Sequence, residues 1–100
     1  MPAYVAANHG VARLTKAAAL EFAQKGIRVN AVCPGVIQTP MIEWVLDKGD
    51  LREEQIFAVE PIHRMGKPEE IAEAVLWLSS DASSFVTGLP MPVDGGYVAQ

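Results

Sequence analysis

The sequence has few of the residues that bind metals or form covalent crosslinks. Its 100 residues include one cysteine, Cys33, and two histidines. A single cysteine excludes an intramolecular disulfide and a cysteine-based zinc cluster. Cys33 ends an apolar strand pattern, so we interpret it as a small core residue and not as a nucleophile. Two lone histidines do not make a metal site, and the sequence therefore predicts no metal centre.

Positive charge and long apolar runs are also scarce. The chain has 8 Lys and Arg residues against 12 Asp and Glu residues, which gives a net charge of −4. A nucleic-acid binder usually carries a basic patch, so this balance argues against nucleic acid as a partner. No apolar run is long enough to span a membrane, and the first residues lack the basic and apolar regions of a signal peptide. We predict a cytoplasmic protein without a membrane partner.

Helical periodicity followed by a strand is the first positive signal. The alanine-rich residues 4–25 predict a helix, which Gly26 ends in the manner usual for a residue just past a helix. Four apolar residues of this helix fall on one face: Val11, Leu14, Ala18 and Phe22. Residues 27–33 alternate in the manner of a strand, and Pro34-Gly35 ends it because proline cannot donate to a ladder.

The middle of the chain is less regular but rich in large apolar residues. Residues 41–46 and 51–59 each fit a short helix. Two interpretations of segment 41–62 have about equal weight. It packs against the core, or it forms a lid over an apolar substrate pocket.

A second clear helix and a short strand follow. The helix begins at Pro68, which suits the first helical position, and runs to about Ser80. Its apolar stripe predicts three buried residues: Ile71, Val75 and Leu78. Residues 89–93 predict a strand at the edge of a sheet, because two prolines weaken its pairing.

Five motifs occur here in the order and spacing of one family. They are Tyr4 ahead of the alanine-rich helix, the strand from Ile27 that ends at Pro34-Gly35, Thr39-Pro40, the segment from Arg64 to Ala72, and Thr87-Gly88 together with Val93 to Gly96. Together they cover essentially the whole chain. In these motifs the chain resembles the carboxyl-terminal portion of a short-chain dehydrogenase/reductase.

The resemblance implies an α/β fold, namely the carboxyl-terminal part of a doubly wound, Rossmann-type parallel sheet. Its elements are a long helix, a strand, the Pro-Gly turn, a lid, a helix and an edge strand. The family interconverts alcohols and ketones by hydride transfer with NAD or NADP. Its glycine-rich phosphate loop and catalytic serine have no counterpart in these residues. We therefore expect residues 1–100 to be a single partial domain that is inactive alone and holds little of the cofactor.

Tyr4 matches the tyrosine that acts as the proton donor in the family. The family places a lysine four residues later, where its ammonium favours the tyrosinate and binds the nicotinamide ribose. Asn8 stands at that position, and it can donate to a ribose hydroxyl but carries no charge. No other cation of the helix lies one turn from Tyr4 on the same face, which predicts weakened catalysis. Without the resemblance, Tyr4 would be a surface aromatic near a frayed terminus.

The turn after the strand is the second implied part of the site. Pro34 and Gly35 lie at the carboxyl end of a parallel strand, where open α/β sheets bind ligands. By resemblance, the backbone near Ile37 contacts the nicotinamide carboxamide and the hydroxyl of Thr39 contacts the neighbouring phosphate. A structural interpretation is a tight turn with Thr39 as the N-cap of a helix that starts at Pro40. Both interpretations can hold together.

Two functions from different classes remain open. The first is an oxidoreductase acting, in its full-length form, on a small-molecule alcohol or ketone and assembling as a homo-oligomer. The second is a non-catalytic assembly piece that pairs with itself or with a full-length relative. A regulatory binding module has no sequence feature in its favour.

Overall fold

The structure is a computed structural model that describes residues 2–49 and 52–100, without the side chains of Pro2 and Tyr4. Its helices and strands, in chain order, are α1 (Pro2–Phe22), β1 (Ala31–Pro34), α2 (Pro40–Asp47), α3 (Glu53–Val59), α4 (Pro68–Ser79) and β2 (Pro90–Val93). Single 3-10 turns cover Ala23–Lys25, Asp81–Ser83 and Tyr97–Ala99. The chain divides into two compact units. Unit 1 contains residues up to Cys33 and Val75–Met91, and unit 2 contains Pro34–Ala74 and Pro92–Gln100.

The predicted helix over residues 4–25 is confirmed as α1 and the 3-10 turn that follows it. Gly26 ends it with a φ of 74°, and its N–H donates to the carbonyl of Ala23. The predicted apolar face is wrong, since Leu14 is 70% exposed while Thr15 and Ala19 are buried. Small residues face inward because Gly88 lies close by: a Cβ on Gly88 would lie 3.4 Å from the Ala19 Cβ. Among the described residues, no helix combines the length and apolar character needed to cross a membrane.

The strand predicted over residues 27–33 is shorter and later in the structure, where β1 covers Ala31–Pro34. Side chains replace the ladder before β1. The Val29 N–H donates to Thr87 Oγ1, and Asn30 accepts from the Leu89 N–H through Oδ1. These bonds satisfy the backbone without regular strand pairing, which alternation of residue types cannot reveal.

The Arg28 side chain fixes the chain just before Val29 within unit 1. Its guanidinium donates to the Ser83 hydroxyl and to the carbonyls of Ser80 and Val86, each at 3.2 Å. Ser83 is buried and its own hydroxyl donates to the Trp77 carbonyl at 2.7 Å. The polar groups around Arg28 therefore serve the fold.

The two strands form a parallel pair. The N–H of Ala31 donates to the Leu89 carbonyl at 2.9 Å, and the N–H of Gly35 donates to the Val93 carbonyl at 3.0 Å. From the first bond to the second, the donor and the acceptor both move four residues towards the carboxyl terminus, so the two strands run in the same direction. Within the described residues, β2 pairs with β1 alone, which agrees with the prediction of one-sided pairing for this proline-containing strand.

Helix α4 confirms the predicted second helix. Pro68 is its first residue, and the Glu70 carboxylate accepts from the Lys67 N–H at 3.0 Å, as in the reciprocal half of a capping box. Leu78 is buried as predicted, whereas Val75 is 47% exposed, so the predicted stripe is wrong there. Val75 lines an open cavity of about 540 Å³ in unit 1, which explains its exposure.

Segment 41–62 forms two helices, as predicted. The first is α2, and the second is α3, which starts at Glu53; the predicted start at Leu51 lies outside the described residues. Ile56 is buried, whereas Met41 and Trp44 are exposed. Part of the apolar character of the segment therefore stabilises unit 2, and part is free to meet another surface.

Candidate active site

The turn after β1 is shaped by close approach of the chain to itself. A Cβ on Gly35 would lie 2.8 Å from the Asp94 Cα and 2.9 Å from Glu60 Oε1. Any side chain at this position would therefore displace backbone of the turn after β2. Gly35 is required for the close fit of this loop, whatever binds beside it.

The Ile37 peptide groups are oriented by a parallel bridge to Gly66. The Gly66 N–H donates to the Val36 carbonyl at 2.9 Å, and the Gln38 N–H donates to the Gly66 carbonyl at 2.8 Å. In a parallel bridge the residue between those two groups points its own N–H and C=O the other way. Ile37 thus presents one donor and one acceptor on the side away from Gly66.

Thr39 is the N-cap of α2, as predicted, and Pro40 begins the helix. Its Oγ1 accepts from the Ile42 N–H at 3.4 Å. A hydroxyl also has one donor, which this contact leaves available. The amino-terminal end of α2 carries partial positive charge, which favours an anion near Thr39.

Glu60 is a part of this site that sequence analysis missed. It is 3% exposed, and its Oε1 accepts from the Val36 N–H at 2.9 Å. A glutamate between an apolar helix and a proline gives no spacing signal. Its depth follows from tertiary contacts with the turns after β1 and β2, which only the structure shows.

An ion pair lies at the rim of the site. Arg64 donates to both carboxylate oxygens of Glu70, at 2.7 and 3.0 Å. This bond to Arg64 and the N–H of Lys67 lower the pKa of the Glu70 carboxyl to about 2. The pKa of the Arg64 guanidinium is raised by its hydrogen bond with Glu70, and further by the charges of Glu70 and Glu60.

A cavity of about 420 Å³ opens among these groups in unit 2. Its walls include Gly35, Ile37, Glu60 and Arg64. Pro34 and Thr39 lie in the same unit but do not line it. Its volume lies in the range of small-molecule pockets, and it offers polar groups of both signs.

Tyr4 and Asn8 belong to unit 1. The backbone of Tyr4 lies near the start of α1, and its side chain lies outside the described residues. Asn8 follows one helical turn later and is exposed. Of the predicted site residues, Gly35 and Ile37 line the cavity of unit 2, and Pro34 and Thr39 belong to the same unit. In the part of the chain that is described, no group of three or more His, Cys, Asp or Glu side chains is arranged to hold a metal ion.

Comparison with known proteins identifies the family. A family model described as enoyl-(acyl carrier protein) reductase matches residues 1–98. The chain belongs to the short-chain dehydrogenase/reductase family. This family uses NAD or NADP.

Two curated relatives match along nearly the whole chain. Cyclohexanol dehydrogenase of Acinetobacter sp. (strain SE19) is 52% identical over 97 residues, which are 97% of this chain and 36% of the relative. Cis-4-hydroxycyclohexanecarboxylate dehydrogenase of Sinomonas cyclohexanicum is 50% identical over 96 residues, which are 96% of this chain and 37% of the relative. The chain thus spans little more than a third of the length of these relatives.

Solved structures agree in fold. An oxidoreductase of the short-chain dehydrogenase/reductase family from Burkholderia thailandensis superposes with a TM-score of 0.89 at 39% identity, over 99% of this chain and 39% of that one. ElxO with NADP bound superposes with a TM-score of 0.85 at 39% identity, over 92% of this chain and 37% of that one. The predicted fold class, part of a Rossmann-type α/β sheet, is therefore confirmed.

Proposed function

We propose that this chain is the carboxyl-terminal part of an NAD(P)-dependent oxidoreductase that interconverts a secondary alcohol and a ketone. The orientation of the Ile37 peptide groups, together with family membership, carries this proposal. When bound, NAD(P) supplies the hydride acceptor or donor. The residues described here bind and orient its nicotinamide end.

The site fits the nicotinamide carboxamide. A carboxamide has two N–H donors and one carbonyl acceptor. Ile37 offers a C=O and an N–H on one side of the loop, fixed by the bridge to Gly66. We propose that Pro34, which ends β1, and Gly35, whose close approach to Asp94 leaves no room for a side chain, shape the loop, and that Ile37 makes the contact.

Thr39 fits the neighbouring phosphate. Its hydroxyl donor remains available while its oxygen caps α2. An anion there gains from the hydroxyl and from the amino-terminal end of the helix. The Thr39 side chain can therefore cap α2 and contact a ligand at the same time.

Tyr4 is proposed as the general acid and base at the reacting oxygen. Asn8, one turn later on α1, is proposed to donate to the nicotinamide ribose. An asparagine cannot stabilise a tyrosinate by charge, so proton transfer at Tyr4 is expected to be slower than with a lysine.

The proposed substrate is a cyclic secondary alcohol. The names of the two curated relatives describe enzymes that act on cyclohexane alcohols. The exposed apolar side chains of α2, including Met41 and Trp44, suit an apolar ring. We propose that segment 41–62 covers such a substrate.

A second candidate is a non-catalytic assembly piece, which the exposed apolar residues of unit 1 favour. Leu20 and Leu76 are 81% and 69% exposed. Surfaces of this kind mark protein contacts. In either case the proposed partner is a second copy of the chain or a full-length relative.

The experiment joins this chain to the amino-terminal part of the Acinetobacter cyclohexanol dehydrogenase. The chimera should oxidise cyclohexanol slowly with NAD or NADP, and the 100 residues alone should not. Tyr4→Phe should lower kcat by roughly a hundredfold or more, as expected when a general acid is lost. Absence of turnover in every version, with cofactor bound, would favour the assembly piece.

Asn8→Lys in the chimera tests the role of this position. A cation one turn from Tyr4 favours the tyrosinate, so kcat should rise by roughly tenfold or more and activity should begin at lower pH. Lys16→Asn, on the same helix but about two turns beyond Asn8, is the control and should leave the pH–rate profile unchanged. Equal profiles for the parent chimera and the Asn8→Lys variant would contradict the role given to Asn8.

A further inference from the structure

We propose that Glu60 is a positioning residue for the loop of residues 35–38, which carries the proposed nicotinamide contact. Its carboxylate holds the Val36 peptide so that the N–H and C=O of Ile37 face the nicotinamide carboxamide. The inference rests on the proposed function and adds a residue that the family motifs do not contain. It concerns binding of the nicotinamide end and not proton transfer.

The first support is a buried hydrogen bond next to Ile37. Glu60 Oε1 accepts from the Val36 N–H at 2.9 Å, while the Val36 carbonyl accepts from the Gly66 N–H at 2.9 Å. Both polar groups of Val36 are thus fixed. The bond from Gly66 to the Val36 carbonyl fixes the peptide unit that carries the Ile37 N–H, and the bond from the Gln38 N–H to Gly66 fixes the next unit, which carries the Ile37 C=O.

The second support is steric. A Cβ on Gly35 would lie 2.9 Å from Glu60 Oε1, and a Cβ on Gly95 would lie 3.0 Å from Glu60 Oε2. The carboxylate therefore fills the gap between the turn after β1 and the turn after β2. Each turn has a glycine where it meets the carboxylate, so the two turns together fix the position of the Glu60 carboxylate.

The third support is the place of Glu60 in the chain. It ends α3, with its N–H donating to the Phe57 carbonyl and its carbonyl accepting from the His63 N–H at 2.8 Å. Glu60 thus ties the carboxyl-terminal end of segment 41–62 to the loop that contacts the cofactor. A displacement of that segment would move the Val36 peptide through this carboxylate.

Two substitutions of Glu60 can separate the effect of its hydrogen bond from the effect of its charge. A buried carboxylate requires hydrogen bonds or a nearby cation. Arg64 is such a cation, since the charge of Glu60 contributes to raising the pKa of the Arg64 guanidinium. Glutamine keeps an oxygen at the same place, whereas alanine removes it. A positioning role therefore predicts that Glu60→Gln retains what Glu60→Ala loses.

The test measures cofactor binding by the chimera described above. Dissociation constants are determined for NAD, NADP, ADP-ribose and 2′-phospho-ADP-ribose, of which the last two lack the nicotinamide ring. Glu60→Ala should raise the Kd of the nicotinamide cofactor by roughly tenfold, the size expected for one hydrogen bond to a charged group. The Kd of the matching ADP-ribose should stay unchanged, and Glu60→Gln should bind NAD(P) nearly as well as the parent.

Amide hydrogen exchange provides the second readout, and Glu73→Ala, an exposed glutamate of α4, is the control. Exchange in residues 35–38 should increase in Glu60→Ala and remain near the parent rate in Glu60→Gln and Glu73→Ala. Equal losses for NAD(P) and ADP-ribose would show a general structural role and overturn the proposal, as would unchanged binding in Glu60→Ala. Failure of the parent chimera to bind any of the four ligands would instead overturn the proposed function.

Discussion

At the scale of single residues, His63 has the one non-glycine left-handed backbone among the described residues. Its φ is 60°, between the pocket-lining residues Ile62 and Arg64. A left-handed conformation costs a residue with a Cβ roughly 1–2 kcal/mol, although histidine tolerates it better than most. The hydrogen bond from its N–H to the Glu60 carbonyl helps to maintain this turn.

His63→Gly should stabilise the chain. Glycine removes the Cβ strain but loses more conformational entropy on folding, so the net gain should be about 0.5–1 kcal/mol. The midpoint of urea unfolding of the chimera described above, followed by far-UV circular dichroism at one fixed protein concentration, measures it. His9→Gly is the matched control, since His9 lies within α1 and glycine there should destabilise. A lower midpoint for His63→Gly would contradict the strain assigned to this position.

The residues that sequence could identify are those whose role is local or carried by a family motif. Thr39 as an N-cap followed by proline was predicted and is confirmed, because capping depends on adjacent residues. Glu60 and His63 were missed, because burial and a left-handed φ arise from packing between segments distant in sequence. The catalytic role of Tyr4 and the ribose contact of Asn8 stay predictions.

At the scale of elements, α4 begins with a capping arrangement reinforced by a cation. Glu70 accepts from the Lys67 N–H and from Arg64 at the same end of the helix. Its carboxylate also meets the positive end of the helix dipole. The start of α4 is therefore stabilised by a charge that acid removes.

Glu70→Gln should destabilise the chain at neutral pH but not in strong acid. The pKa of Glu70 is lowered from 4.5 to about 2, chiefly by the bond from Arg64. Its contribution is therefore fully present above about pH 4.5 and is lost as the pH falls towards 2. Urea midpoints of the chimera, measured across this range, should differ between the parent and Glu70→Gln at neutral pH and converge at the acid end.

Glu69→Gln is the control for that series. Glu69 precedes Glu70 in the first turn of α4 and shares its exposure to the helix dipole, but the bond from Arg64 goes to Glu70. Because it does not receive that bond, Glu69→Gln should destabilise the chain less than Glu70→Gln at neutral pH. A constant difference for Glu70→Gln throughout the range would show that its charge contributes nothing.

Elements were easier to predict than their ends and faces. The existence of α1, α2, α3, α4 and both strands follows from periodicity, proline and glycine positions. The start of β1 was wrong by four residues, because Thr87 and Asn30 side chains satisfy the backbone there. The buried face of α1 was wrong because close approach selected Thr15 and Ala19 over larger apolar residues.

At the scale of the whole molecule, apolar exposure determines the expected behaviour in solution. Four large apolar side chains of unit 1 are exposed by 69% or more: Leu14, Leu20, Leu76 and Phe85. Exposed apolar surface of this extent favours association. The two-stranded sheet adds strand edges that can pair with another chain.

The isolated chain should be self-associated or partly unfolded and not a compact monomer. Size-exclusion chromatography with light scattering, paired with thermal unfolding, tests this. Leu20→Gln combined with Leu76→Gln should lower the associated fraction without loss of helix, because both side chains are exposed. Leu78→Gln, at a buried position of α4, is the contrasting change and should reduce helix content. A monomeric mass with one sharp transition for the parent chain would contradict this expectation.

The pairing of β1 with β2 has a consequence for how much the intervening chain can vary. The hydrogen bond from Ala31 to Leu89 closes a long loop that includes α2, α3 and α4. The entropy of closing a loop grows only with the logarithm of its length, by about 0.6 kcal/mol per doubling. Insertions between α2 and α3 should therefore cost the sheet little. Segments of quite different lengths can therefore replace residues 41–62 on the same strand pair, as long as the glutamate at the end of α3 still reaches the Val36 N–H.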